Sequence, residues 1–144
     1  MRVDFYQLSE TPVEGALPVL AVKMREAGAK VLVVSAHDAQ LARISDALWA
    51  PKGTFMAHGA AGSTDDAAQP ILLSDSLEAT NGATFLVLAD GQWRSGADAF
   101  DRVFLLFDGS TIEDARGTWR SLDSREDIER NYWQQQGKGW ERKA

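Results

Sequence analysis

The chain has 144 residues, enough for one domain that buries roughly two thirds of the surface its unfolded form exposes. Fifteen Lys and Arg against 21 Asp and Glu leave a net charge of -6, the wrong sign for gripping a phosphate backbone over a broad face, so any contact with DNA is expected to be indirect. There is no cysteine, which excludes a disulfide framework, a thiolate metal site and a cysteine nucleophile.

The opening Met1-Arg-Val-Asp-Phe5 leads into Tyr6-Gln-Leu-Ser-Glu10 without an apolar signal-peptide core or a small-residue cleavage site. No apolar run approaches the ~20 residues of a membrane span. A soluble cytoplasmic protein with no membrane contact is expected.

Val3 to Gln7 alternates and predicts a first strand. Thr11-Pro12-Val13-Glu14 reads as a helix start, with Thr11 as N-cap, Pro12 at the first helical position and Glu14 reaching back. Leu17, Leu20, Ala21 and Met24 follow at spacings of three and four, and Gly28 supplies the stop. Pro18 inside that run predicts a kink, or a helix that begins later than Thr11.

Lys30 to Ser35 holds Val-Leu-Val-Val, the continuous apolar run of a strand covered on both faces, and so implies a parallel sheet. A second helix spans Asp38 to Leu48 with Leu41, Ile44 and Leu48 on one face. It ends at Trp49-Ala50-Pro51, because proline disfavours helical geometry in the residue before it. Trp49, Pro51 and Phe55 therefore stand where a helix has just become a loop, and large apolar side chains on a loop either fold back over the core or await a partner. The small and polar stretch from Gly59 to Asp66 is expected to be a surface loop.

Ile71-Leu72-Leu73, Thr84 to Ala89 and Val103 to Phe107 predict three more buried strands, with Asn81-Gly82 and Asp90-Gly91 as turns beside them. Ser110-Thr111-Ile112-Glu113 is a second capping box opening a helix to about Leu122. Asn131 to Gln134 predicts a late strand, and Gly137-Lys138-Gly139 turns into the final Trp140-Glu-Arg-Lys143. Alternating strands and helices with no linker and no repeat predict one α/β domain over residues 1–144, a Rossmann-like three-layer sandwich with a mostly parallel sheet.

Catalytic chemistry finds little footing. A phosphate-binding loop would follow the first strand, but Leu8-Ser-Glu-Thr-Pro12 has no glycine and carries an acid. The two histidines, His37 and His58, cannot make a three-histidine metal site, and none of the serines sits in a Gly-x-Ser-x-Gly elbow. The acid pairs Asp65-Asp66 and Glu126-Asp127 have no framing motif and read as solvated charge. Trp93 reads as an edge-packing aromatic. No catalytic residue, cofactor or metal is assigned.

The third helix is different. At ~100° per residue, Ile112, Ala115, Trp119 and Leu122 share one stripe, while Arg116 and Arg120 lie one turn apart on its flank beside Trp119. Two guanidinium groups framing an indole suit a ligand with a carboxylate and a hydrophobic end, such as the extreme C-terminus of a protein. The plainer reading is an amphipathic helix with Trp119 in the core and both arginines in solvent.

Phe5-Tyr-Gln-Leu8, Ala27-Gly-Ala-Lys-Val-Leu-Val33, the tract Asp46-Ala-Leu-Trp49 through Phe55 to His58, and Ala115-Arg-Gly-Thr-Trp-Arg120 together resemble the chi subunit family of bacterial DNA polymerase III, over nearly the whole chain. The resemblance implies a non-catalytic clamp-loader accessory subunit with two interfaces. Trp49, Pro51 and Phe55 match the loop that docks the psi subunit or a helicase. Arg116, Trp119 and Arg120 match the helix that receives the acidic, phenylalanine-ended tail of single-stranded DNA-binding protein. The sequence departs from the family pattern at Ile112, where a lysine is expected, and in residues 123–144, an extension expected to add a strand. Arg142 or Lys143 is a candidate source of the missing charge. The alternative from another class is a small nucleotide-binding protein or enzyme using the cleft at the strand carboxyl ends. Direct binding of single-stranded DNA through Trp119 is a third possibility that the net charge disfavours.

Overall fold

The computed structural model describes residues 1–49, 57–137 and 139–144. The strands are β1 (Arg2–Gln7), β2 (Val31–Val34), β3 (Gly59–Ala60), β4 (Ile71–Ser74), β5 (Phe85–Leu88), β6 (Arg102–Phe107), β7 (Glu129–Gln136) and β8 (Gly139–Arg142). They form one sheet in the order β3-β4-β2-β5-β6-β1-β7-β8. Every pairing is parallel except the last, where β7 and β8 run antiparallel as a hairpin. Among the described residues the α-helices are α1 (Val13–Glu26), α2 (Asp38–Trp49) and α3 (Ile112–Ser121).

Strand alternation sorts the core into two layers. On one face Tyr6, Val31, Val33, Val87, Phe104 and Leu106 pack against Leu17, Leu20 and Met24 of α1 and Ile44 and Leu48 of α2. On the other, Phe5, Leu32, Leu86, Leu105 and Phe107 pack against Ala115 and Leu122, with Trp119 half-buried beside them. Helices on both faces of a mostly parallel sheet make the three-layer α/β sandwich expected of Rossmann-like topology. A carboxylate is buried in it: Asp4 on β1 accepts from Arg102 Nη2 at 2.7 Å, Trp133 Nε1 at 3.1 Å and Arg2 Nε at 3.2 Å, tying β6 and β7 to the strand between them.

Several local expectations change. Neither capping box forms. Helix α1 starts at Val13 with Pro12 as its N-cap, later than Thr11, and continues through Pro18. Thr11 is drawn away because its hydroxyl accepts from Gln135 Nε2 at 2.9 Å. At α3, Thr111 has a backbone outside the extended region, and Ser110 Oγ donates to Asp108 Oδ1 at 2.6 Å instead of capping the helix. Gly28 does close α1, at φ +81°, where a side chain would be strained.

The stretch from Gly59 to Asp66 is more ordered than a plain loop. Gly59 and Ala60 form the short edge strand β3. Asp66, expected in solvent, is 9% exposed and accepts from Gly62 N at 2.9 Å, Ser63 N at 3.0 Å and Thr80 Oγ1 at 3.1 Å. Its carboxyl is held below the usual carboxylate range, chiefly by the Gly62 N–H. The extension past α3 adds two strands rather than one.

Candidate functional site

Helix α3 packs on β6, and its Trp119 reaches over β1 and β7. Trp119 meets the edge of Phe5 at 5.1 Å and Tyr132 at 5.9 Å, ring centre to ring centre. The Arg130 guanidinium lies 4.3 Å from its ring centre, and Nη1 of the same side chain donates to the Trp119 carbonyl at 2.6 Å. The indole is therefore braced by the core and still reaches a surface groove. That groove, a cavity of about 330 Å³, is lined by Arg116, Trp119, Arg120, Tyr132, Lys143 and Ala144. The three residues singled out from the sequence of α3 are together in one place.

The groove is lined by three cations, two of which are already paired. Arg116 Nη1 holds Glu113 at 2.9 Å one turn back along the helix, in the open. Lys143 Nζ holds Glu141 at 3.2 Å. Among the described residues Arg120 has no ion pair. Burial pushes the Tyr132 hydroxyl pKa up, against the opposing charge of Arg116, and that hydroxyl donates to Gln7 Oε1. Tyr132 thus offers its ring, not a proton, to anything lying in the groove.

Reading the α3 sequence alone missed half of this site. Tyr132 and Arg130 come from β7 and Lys143 from just past the end of β8, and of the three the sequence singles out only Lys143, as a candidate source of charge. The alternation of Asn131 (buried) and Tyr132 (half-buried) was the available signal, but it does not reveal which helix the strand will lie beside.

At the other end of the sheet, Trp49 closes α2 with 64% of its surface exposed. It makes an edge contact with His58 at 5.9 Å, and His58 Nε2 lies 2.8 Å from Ser45 Oγ. Leu41, Ser45, Trp49, His58, Gly59 and Leu73 line a cavity of about 430 Å³ between α2 and edge strand β3. Pro51 and Phe55 lie outside the described residues.

The cleft at the strand carboxyl ends, where a nucleotide would sit on such a sheet, is filled by the protein itself. The backbone N–H groups of Ser9, Glu10 and Thr11, which lead into α1 where a phosphate would bind, all converge on Gln135 Oε1 at 3.2, 3.0 and 3.2 Å. A side-chain amide from β7 thus occupies the nest. Between β2 and β5, Asp90 accepts from Ala36 N at 2.9 Å and takes Arg94 in a two-pronged grip at 2.7 and 3.0 Å. Burial opposes ionisation of this carboxyl, but its hydrogen bonds with Arg94 and Ala36 outweigh burial and keep its pKa low. Asp108, held low chiefly by the Ser110 hydroxyl, faces the same cleft. Arg94 neutralises Asp90, so the charge left facing a phosphate is that of Asp108, and the remaining space is about 170 Å³.

The family model described as DNA polymerase III chi subunit, HolC, matches residues 1–128. The chain belongs to the chi subunit family. No curated protein matches it. Membership in the chi family assigns an accessory role in DNA replication, and no helix among the described residues is long and apolar enough to cross a membrane. The match ends at Ile128, one residue before β7, so Tyr132 and Lys143 belong to a segment that the chi model does not cover.

Proposed function

We propose that the protein is a cytoplasmic, non-catalytic subunit of the DNA polymerase III holoenzyme that links the clamp loader to the C-terminal tail of single-stranded DNA-binding protein. The carrying observation is the α3 groove, in which Arg116 and Arg120 flank a braced, half-exposed Trp119. An acidic peptide with a hydrophobic last residue has the matching chemistry: the arginines take its carboxylates and the rings take its apolar end. DNA is reached only through that partner, in keeping with the net charge of -6.

Trp49, with Pro51 and Phe55 after it, would serve the second contact, with the psi subunit or a helicase. Support comes from the exposed indole at the sheet edge remote from α3. No cofactor or metal is required for either contact.

The deciding experiment is fluorescence anisotropy with a labelled peptide copying the tail. An Arg116→Ala, Arg120→Ala double variant is expected to lose at least about tenfold in affinity, two charge-assisted contacts at ~1 kcal/mol each. Equal binding by wild type and double variant overturns the reading. Phe55→Ala should abolish a pulldown of clamp-loader proteins and leave the peptide affinity unchanged; retention of both interactions would remove the loop from the account.

A further inference from the structure

The groove is built by two pieces of chain of different standing. Helix α3 lies within residues 1–128, matched by the family model, whereas β7 and β8 lie beyond them. The second piece contributes one aromatic wall, Tyr132, and one cation, Lys143. Both are fixed in place by backbone pairing: Lys143 N donates to the Tyr132 carbonyl at 2.7 Å and Tyr132 N donates to the Ala144 carbonyl at 3.0 Å. Strand alternation decides which basic residue of the hairpin faces the groove. Trp140 packs into the core layer under α1 and α2, and Arg142, two residues on, follows it to that side, opposite Trp133. Lys143 falls on the α3 side, beside Tyr132.

We propose that Lys143 is a specificity-determining residue of the tail groove: it is the third cation, and it engages an acidic side chain of the bound peptide upstream of the residue gripped by the arginines. This rests on the reading of the groove as a tail-binding site. Ile112 packs against the core and is followed by Glu113 and Asp114, so the first turn of α3 is acidic and the positive field does not extend toward the helix N-terminus. Lys143 extends it across the groove instead, and a peptide lying there passes between the helix and the hairpin. Glu141, 3.2 Å from Lys143, acts as a placeholder for the peptide carboxylate and is displaced on binding.

The test uses the full chain and the labelled tail peptide at low ionic strength. Lys143→Ala is expected to weaken binding about three- to fivefold, the size of one exposed ion pair. Lys143→Arg should retain wild-type affinity, and Glu141→Gln, which frees the lysine, should tighten binding. The slope of affinity against salt should be shallower for Lys143→Ala than for wild type. If Lys143→Ala binds as wild type while the Arg116→Ala, Arg120→Ala double variant does not bind, the inference falls and the tail-binding reading stands. Loss of affinity in Lys143→Arg as large as in Lys143→Ala also overturns it. If the wild-type chain fails to bind the peptide, both fall.

Discussion

Two tryptophans mark the two ends of the sheet, and they are held in opposite ways. Trp119 is clasped by Phe5, Tyr132 and Arg130, so its ring is set before any ligand arrives. Trp49 is 64% exposed at the last residue of α2, with an edge contact to His58. A preset ring among cations suits a ligand chosen by charge and shape, and such a complex would weaken as salt rises. An exposed indole gains mainly from being covered, a contribution that scales with apolar area and resists salt.

The contrast is sharpest in stability. Trp119→Ala should lower unfolding free energy by about 3 kcal/mol in urea titrations, because it deletes a ring packed on the core and leaves Arg130 without its stacking partner. A loss below about 1 kcal/mol would mean the clasp contributes little and the contrast with Trp49 is lost.

Extreme pH should separate the ends next. Beneath the β7–β8 hairpin, Tyr6 stacks on Trp133 and meets Trp140 edge-on, and burial first, then the neighbouring Asp4 charge, pushes its pKa up to about 12. Its folded pKa lies above the unfolded value, so this contribution is complete below about pH 10 and lost as pH rises toward 12. Near β3, Asp66 has a lowered pKa, so its contribution is present above about pH 4 and lost as pH falls below that. Tyr6→Phe should remove an alkaline step in a pH-dependent unfolding series and Asp66→Asn an acid one. Loss of the same step in both variants would contradict the assignment.

Gln135→Ala is expected to cost about 1–2 kcal/mol, since three N–H groups lose their shared acceptor, and it should loosen the hairpin in hydrogen exchange. Smallest of all, Trp49→Ala should change stability by no more than about 0.5 kcal/mol while weakening capture of the partner proposed for this end of the sheet. A large loss of stability there would make Trp49 a packing residue after all.

Much of the fold was legible because buried parallel strands announce themselves as apolar runs: Val31 to Val34 and Val103 to Phe107 read directly. The capping boxes misled for a local reason. Thr11 and Ser110 each found a better partner, Gln135 from across the fold and Asp108 from two residues away. Helical spacing likewise brought Arg116, Trp119 and Arg120 together on paper. It could not supply Tyr132, nor choose Lys143 over Arg142, because β7 reaches α3 only by inserting beside β1 in the sheet, a long-range pairing that no local pattern encodes.

The amide of Gln135 has a consequence for how the protein behaves in a cell. A tethered occupant meets its seat at an effective concentration of order millimolar or more, without ever diffusing away. Free nucleotides and inorganic phosphate, even when abundant, must compete against a group that is always present. The fold therefore keeps a nucleotide binder's architecture with its phosphate nest already taken, and binding of the tail peptide proposed for the α3 groove is expected to be unchanged when ATP is added to the anisotropy titration.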